Sequence, residues 1–164
     1  MIVEMEIPDY IMVNNNAAFE AMHPRDDAGR FISKGEEKVK SVKIDFSRDN
    51  VLPELNEEDL SELGKESKVV LVTKRMLDRN KKEHPEISEE EYSYLIAKAL
   101  YEPDYVFPAN EEKTSYYHFI SNVGDNSNSA VILELSDEKY AYETVHLHKL
   151  RNRSLRTLLK RKKD

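Results

Sequence analysis

Between residues 115 and 148 the chain passes through three strand-length stretches with no room between them for a crossover, and this limits the sheet it can build. Residues 115–121 are rich in Tyr, Phe and Ile, residues 130–135 place Val131, Leu133 and Leu135 on one side, and residues 140–148 alternate again. The polar run Gly124-Asp-Asn-Ser-Asn separates the first two, and Asp137-Glu138-Lys139 separates the second two. Parallel neighbours need a connection of about a dozen residues or more, so strands joined this closely pair antiparallel.

The stretch before the sheet reads as strand and helix. Val69, Val70, Leu71 and Val72 make a buried-strand run, and residues 74 to about 83 a basic helix. Ser88 and Glu91 form a capping box, with the serine taking an amide of the first turn and Glu91 reaching back to the serine's own amide. Tyr92, Leu95, Ile96, Ala99 and Leu100 follow as one apolar stripe, and Pro103 stops that helix. Leu155, Leu158 and Leu159 predict a closing helix with a basic outer face. Helices packed on a small antiparallel β-sheet meander and closed by a C-terminal basic helix give an α+β fold.

The organisation upstream is weaker. Residues 1–40 read as a weakly structured acidic arm or linker, and residues 41–164 as the α+β domain, its core at 68–164. Val42, Ile44 and Phe46 alternate with polar residues and predict a short strand. Asn56 is placed to cap a helix from Glu57, with Leu60 and Leu63 facing inward and Gly64 ending it. Charge divides the same way. Of the chain's 32 acidic and 25 basic residues, 16 and 8 precede Lys68. The basic residues of the remainder gather at 68–82 and 149–163, where they can attract phosphate although the whole chain carries a net charge of −7. The acidic first part is therefore expected to fold over the basic face as a phosphate mimic.

The absence of cysteine removes disulfides, thiolate nucleophiles and cysteine zinc sites, and fits a reducing compartment. No apolar run is long enough to span a bilayer, and residues 1–6 lack the pattern of a secretory signal. A cytoplasmic protein without a membrane partner is expected. There is no Gly-rich phosphate loop, no Gly-x-Ser-x-Gly and no His-Glu-x-x-His, so several large enzyme classes lose their usual signals.

Within 140–148, residues two apart share a face. Ala141, Val145 and Leu147 make the natural core side, which leaves Tyr142, Thr144, His146 and His148 on a polar side. The two imidazoles stand roughly 7 Å apart along the strand. Tyr116, Tyr117 and His118 lie on the expected neighbour strand, and Arg79, Asn80 and His84 on or just after the basic helix. Histidine, tyrosine and arginine without a carboxylate cluster suit metal-free RNA cleavage. One group removes the 2′-hydroxyl proton, a second protonates the leaving 5′-oxygen, and a cation steadies the charge on phosphorus. Each feature also has a plainer role: surface histidines, a solvated basic helix face, packing tyrosines, and a His84 that merely ends a helix before Pro85. His-x-His on a strand also occurs in metal sites, but no Asp, Glu or His at matching spacing completes one.

The residues resemble a known family. Val-Val-Leu-Val-Thr-Lys-Arg-Met-Leu-Asp-Arg-Asn-Lys-Lys-Glu-His-Pro at 69–85, Ala-Leu-Tyr-Glu-Pro-Asp at 99–104, Glu-Thr-Val-His-Leu-His-Lys at 143–149 and the basic stretch to Arg161 are similar to the phage barnase–EndoU–colicin–RelE-like nucleases. The likeness covers about residues 41–163. Such domains sit at the end of phage head-morphogenesis proteins or near them as short chains, and are regarded as endoribonucleases or toxins. The resemblance implies that Arg79, Asn80 and His84, and the His146/His148 pair, belong to the site. It leaves the general base unassigned, because no equivalent of the barnase glutamate aligns. The expected function is a metal-independent RNA endonuclease of phage or mobile-element origin. His146, His148, Arg79, His84 and Tyr117 are its catalytic candidates, and Asn80, Thr144, Lys149 and Arg151 its substrate-binding candidates. No metal and no cofactor is expected. RNA, with tRNA among the candidates, is the expected partner, together with an immunity or phage-head protein. The alternative is a nuclease fold without activity that binds protein or RNA.

Overall fold

The hairpin-linked stretches do form consecutive antiparallel strands, and a helix now accompanies each face of the sheet they build. The computed structural model describes residues 11–12, 34–109 and 115–163. Among them are seven strands: β1 (Ile11–Met12), β2 (Asn50–Leu52), β3 (Val69–Val72), β4 (Tyr105–Pro108), β5 (Tyr116–Gly124), β6 (Ser127–Glu134) and β7 (Ala141–Leu150). The helices are α1 (Lys34–Ser41), α2 (Glu57–Leu60, continued by a 3-10 turn at Ser61–Leu63), α3 (Lys74–Glu83), α4 (Glu89–Tyr101) and α5 (Asn152–Lys163). The strands lie in one sheet in the order β1-β4-β5-β6-β7-β3-β2. The fold is α+β. No helix among the described residues is long and apolar enough to cross a membrane.

β4 to β7 are the antiparallel meander, turned between β5 and β6 at Asp125–Asn126, where Asn126 adopts a positive φ of 54°. Successive residues alternate between two cores. Phe119, Val131, Leu133 and Leu147 join Leu95, Ile96 and Leu100 of α4 in the larger one. Ile120 and Ala130 join Phe107 and Leu155 and Leu159 of α5 in the smaller one.

Several expectations are corrected. The sheet is mixed, because β3 pairs parallel with β7 through Val69↔Ala141, Val70↔Tyr142 and Leu71↔Glu143. No strand forms at 42–46. The alternation there reflects burial against α4: Ile44 N donates to Ser93 Oγ (3.0 Å), and Phe46 meets Tyr92 edge-on at 5.2 Å. The strand comes later, at β2. Asn56 does precede α2, but its amide donates to Tyr101 O (2.8 Å) rather than capping the helix. Ser88 caps α4 (Glu91 N to Oγ, 3.1 Å), while the Glu91 carboxylate holds Lys149 at 3.0 Å instead of reaching back. Helix α1 begins at Lys34, inside the stretch read as weakly structured; the other residues of 1–33, apart from β1, lie outside the described residues. The core also extends upstream of Lys68, since Leu52, Leu55 and Leu60 are buried. Residues 50–63 are therefore part of the packed fold, while residues 1–10 and 13–33 of the acidic first part lie outside the described residues.

Two irregularities position the polar residues. In the β6–β7 pair, Ile132 faces His146 while Leu133 faces Thr144, so Val145 is an extra residue and β7 bulges there. The second is an uncovered edge. β3 matches only Ala141 to Glu143 of β7, and beyond that point the outer edge of β7 meets α3. Arg79 Nη2 donates to Val145 O, and Asn80 Nδ2 donates to Leu147 O at 3.0 Å. Two side chains thus satisfy edge carbonyls that a strand would otherwise take.

α3 begins at Thr73, whose Oγ1 accepts from Met76 N at 3.1 Å. Thr73→Ala is expected to cost about 1 kcal/mol, read as a lower urea midpoint with an unchanged slope.

Candidate functional site

The bulge at Val145 divides the residues that simple alternation groups together. Tyr142 and Thr144 are buried, and Thr144 Oγ1 donates to Leu71 O at 3.2 Å. His146 and His148 lie on the opposite face. They pair with Ile132 and Ala130 across the sheet, and Ala130 belongs to the smaller core. α3 ends beside them. His84 is its C-cap residue, with φ −130° and ψ 64°, and its N–H donates to Asn80 O at 2.8 Å. The His84 and His146 ring centroids are 6.3 Å apart, and those of His146 and His148 5.0 Å. Glu83 Oε1 lies 3.9 Å from His146 Nδ1, and Glu86 Oε2 3.5 Å from His84 Nδ1.

The row of imidazoles leads into a cleft of about 450 Å³ between the sheet and α5. His148 and His118 stand on its sheet side, and Arg153, Thr157 and Arg161 on its helix side. The spacing of those three, i, i+4 and i+8, puts them on one stripe of α5. His118 is aligned with His146 through Ile132, since Ile132 pairs with both. It is buried and tilted against Phe107 at 5.0 Å. Four of the chain's five histidines therefore share one surface; the fifth, His23, lies outside the described residues.

Burial dominates the electrostatics of the row. It pushes His148 down to about 4, helped by the nearby His146 and His84. It also lowers His146; Glu83 opposes the shift, while Arg79 and His84 add to it. Both imidazoles are neutral at pH 7, so each offers a lone pair to a proton or a metal ion. Glu83, His84 and His146 present ligand atoms within 4.8 Å of one another.

The structure brings His84, His146 and His148 together, with Arg79 beside them. Arg79 is committed to Val145 O, and it also lines a hollow of about 200 Å³ with Arg75, Glu134 and Glu143. Tyr117 does not join them. It pairs with Leu133 and packs against the larger core, on the far side of the sheet from the imidazoles. Lys149 is on that far side too, opposite Ser129, whose hydroxyl donates to Leu95 O of α4. Asn80 and Thr144 are buried, and Arg151 is exposed just before α5. Sequence reasoning missed His118, Glu83, Arg153 and Arg161 as site residues. The i, i+4, i+8 spacing on α5 was the available signal for the arginines.

No curated protein and no solved structure matches the chain. The family model of the large polyvalent protein-associated domain 13 matches residues 36–163. That span holds the whole meander, all of α2 to α5, and every residue of the histidine surface described above. The chain belongs to the large polyvalent protein-associated domain 13 family.

Proposed function

We propose that the histidine surface and the α5 cleft bind RNA and cleave it without a metal, by attack of a 2′-hydroxyl on the adjacent phosphodiester. One observation carries this reading: a row of imidazoles opens into a cleft whose helix wall carries two guanidinium groups. Arg153 and Arg161 would hold the phosphate. His146 or His148 would take the 2′-hydroxyl proton, and His84 would give a proton to the leaving 5′-oxygen. The P–O5′ bond breaks as the P–O2′ bond forms, leaving a 2′,3′-cyclic phosphate and a free 5′-hydroxyl. The resemblance to the barnase–EndoU–colicin–RelE-like nucleases supports the reading, and the family name points to large polyvalent proteins as the setting in which a protein partner would be met.

Two placements favour a second reading, a domain that binds RNA without cutting it. Tyr117 faces away from the row, and the Arg79 guanidinium is bonded to the backbone. Incubation with tRNA and mixed RNA in EDTA separates the two. Under the nuclease reading the wild type cuts, and His146→Ala lowers the rate about 100-fold or more while retaining RNA affinity. Arg153→Ala/Arg161→Ala loses affinity and flattens its salt dependence. Intact RNA at high protein concentration, with a salt-sensitive gel shift, would leave only binding.

A further inference from the structure

We propose that Glu83, His84 and His146 form a site for a divalent transition-metal ion, with zinc the ion the donors suit best. The backbone builds this set in a way that residue spacing cannot announce. Adjacent residues in a helix point about 100° apart, because each turn takes 3.6 residues. Glu83 is the last residue of α3, and His84 leaves the helix with φ −130° and ψ 64°; their ligand atoms lie within 4.8 Å of each other. The third donor comes from the bulge, where the extra Val145 sets His146 on the face that looks toward the end of α3. Arg79 and Asn80 dock α3 on the carbonyls of Val145 and Leu147, one on each side of His146. The donors are thus held by backbone contacts that do not involve the donors themselves.

The geometry is close to what an ion needs. Glu83 Oε1 and His146 Nδ1 are 3.9 Å apart, and all three ligand atoms fall within 4.8 Å. Zinc bonds of about 2.0–2.2 Å in a tetrahedron put ligand atoms roughly 3.4 Å apart. Side-chain shifts of up to about 1.4 Å close the difference. Glu83 is exposed and both histidines are half-buried, so an ion has an entry path. Glu86 Oε2, 3.5 Å from His84 Nδ1, places a second carboxylate beside the ligating imidazoles. Two imidazoles and one carboxylate suit zinc and its first-row neighbours, whereas calcium and magnesium prefer all-oxygen sets. Three protein ligands leave one position to water.

The test is titration of the full chain with Zn²⁺ by calorimetry and with Co²⁺ by visible absorption. One ion per chain is expected, with cobalt bands of a four- or five-coordinate site. Glu83→Gln, at an exposed position that does not endanger folding, should weaken zinc binding about 100-fold. His84→Ala and His146→Ala should do the same, and Glu62→Gln, at an exposed carboxylate outside the proposed site, should leave binding intact. No uptake by the wild type overturns the proposal, as does binding that all three ligand substitutions leave unchanged. An ion on His146 would leave His148 as the base of the nuclease reading, which is tested in EDTA, where the ion is removed. Cleavage without ion uptake overturns only the metal site; ion uptake without cleavage in EDTA overturns only the nuclease.

Discussion

Asp59→Asn is expected to stabilise the protein by up to about 4 kcal/mol at pH 8 and to leave it nearly unchanged at pH 4. Asp59 is 2% exposed in the first turn of α2, and its Oδ2 has no hydrogen-bond partner. Burial is the main cause that pushes the Asp59 carboxyl up to about 7; Glu58 adds to it, while Asn56 and Lys38 oppose it. The native state therefore holds a proton that the unfolded chain releases near its ordinary value of 3.8. Stability from this group is full below that value, falls by about 1.4 kcal/mol per pH unit as pH rises, and is lost above about 7. Asparagine keeps the shape and cannot ionise. Urea unfolding of both proteins at pH 4, 6 and 8 isolates the effect as a difference, in which other carboxylates cancel. Equal pH dependence of the two proteins would show that the carboxyl is solvated and ionised in the native state.

What could be read from the sequence, and what could not, follows from how the chain sets its phase. The meander was legible because its turns are short and its apolar residues alternate. The pair His146 and His148 was legible as a unit on one face for the same reason. Tyr142 and Thr144 were misplaced with them because one extra residue, Val145, shifts the period by one, and no side-chain pattern marks it. On β5 the sequence does not tell Tyr117 from His118, because Tyr116 to Ile120 is a continuous aromatic and apolar run with no alternation to fix its phase. The alternation at 42–46 was real, but it recorded packing on a helix, and periodicity does not name the partner. On α5 the apolar stripe of Leu155 and Leu159 was evident, whereas the polar stripe of Arg153, Thr157 and Arg161 looks like any solvated face until a sheet stands opposite it. The resemblance points to Arg79 and Asn80 as site residues; that they serve an uncovered strand edge depends on β3 stopping at Leu71↔Glu143.

That edge gives the second large effect. Asn80→Ala is expected to destabilise the fold by about 3 kcal/mol. Asn80 is fully buried, and its side chain is used at both ends: Nδ2 donates to Leu147 O at 3.0 Å, and Oδ1 accepts from Tyr92 Oη at 3.0 Å. Tyr92 is itself buried, which holds its hydroxyl protonated by raising its pKa, and its alternative acceptor is the thioether of Met76 at 3.2 Å. Truncation strands a buried carbonyl and weakens a buried hydroxyl, each worth about 1–3 kcal/mol when left unmet. Tyr92→Phe should cost less, since the amide keeps its bond to β7, and the double variant should fall short of the sum by about 1 kcal/mol, as expected for groups sharing one bond. The comparison also decides what Asn80 is for. A residue that binds substrate loses RNA affinity on truncation and keeps its unfolding midpoint. A residue that clamps α3 to the strand carrying His146 loses the midpoint first, and the distance between Glu83, His84 and His146 with it. Chemical denaturation alongside RNA gel shifts on Asn80→Ala reads both, and an unmoved midpoint with lost affinity would return Asn80 to the substrate.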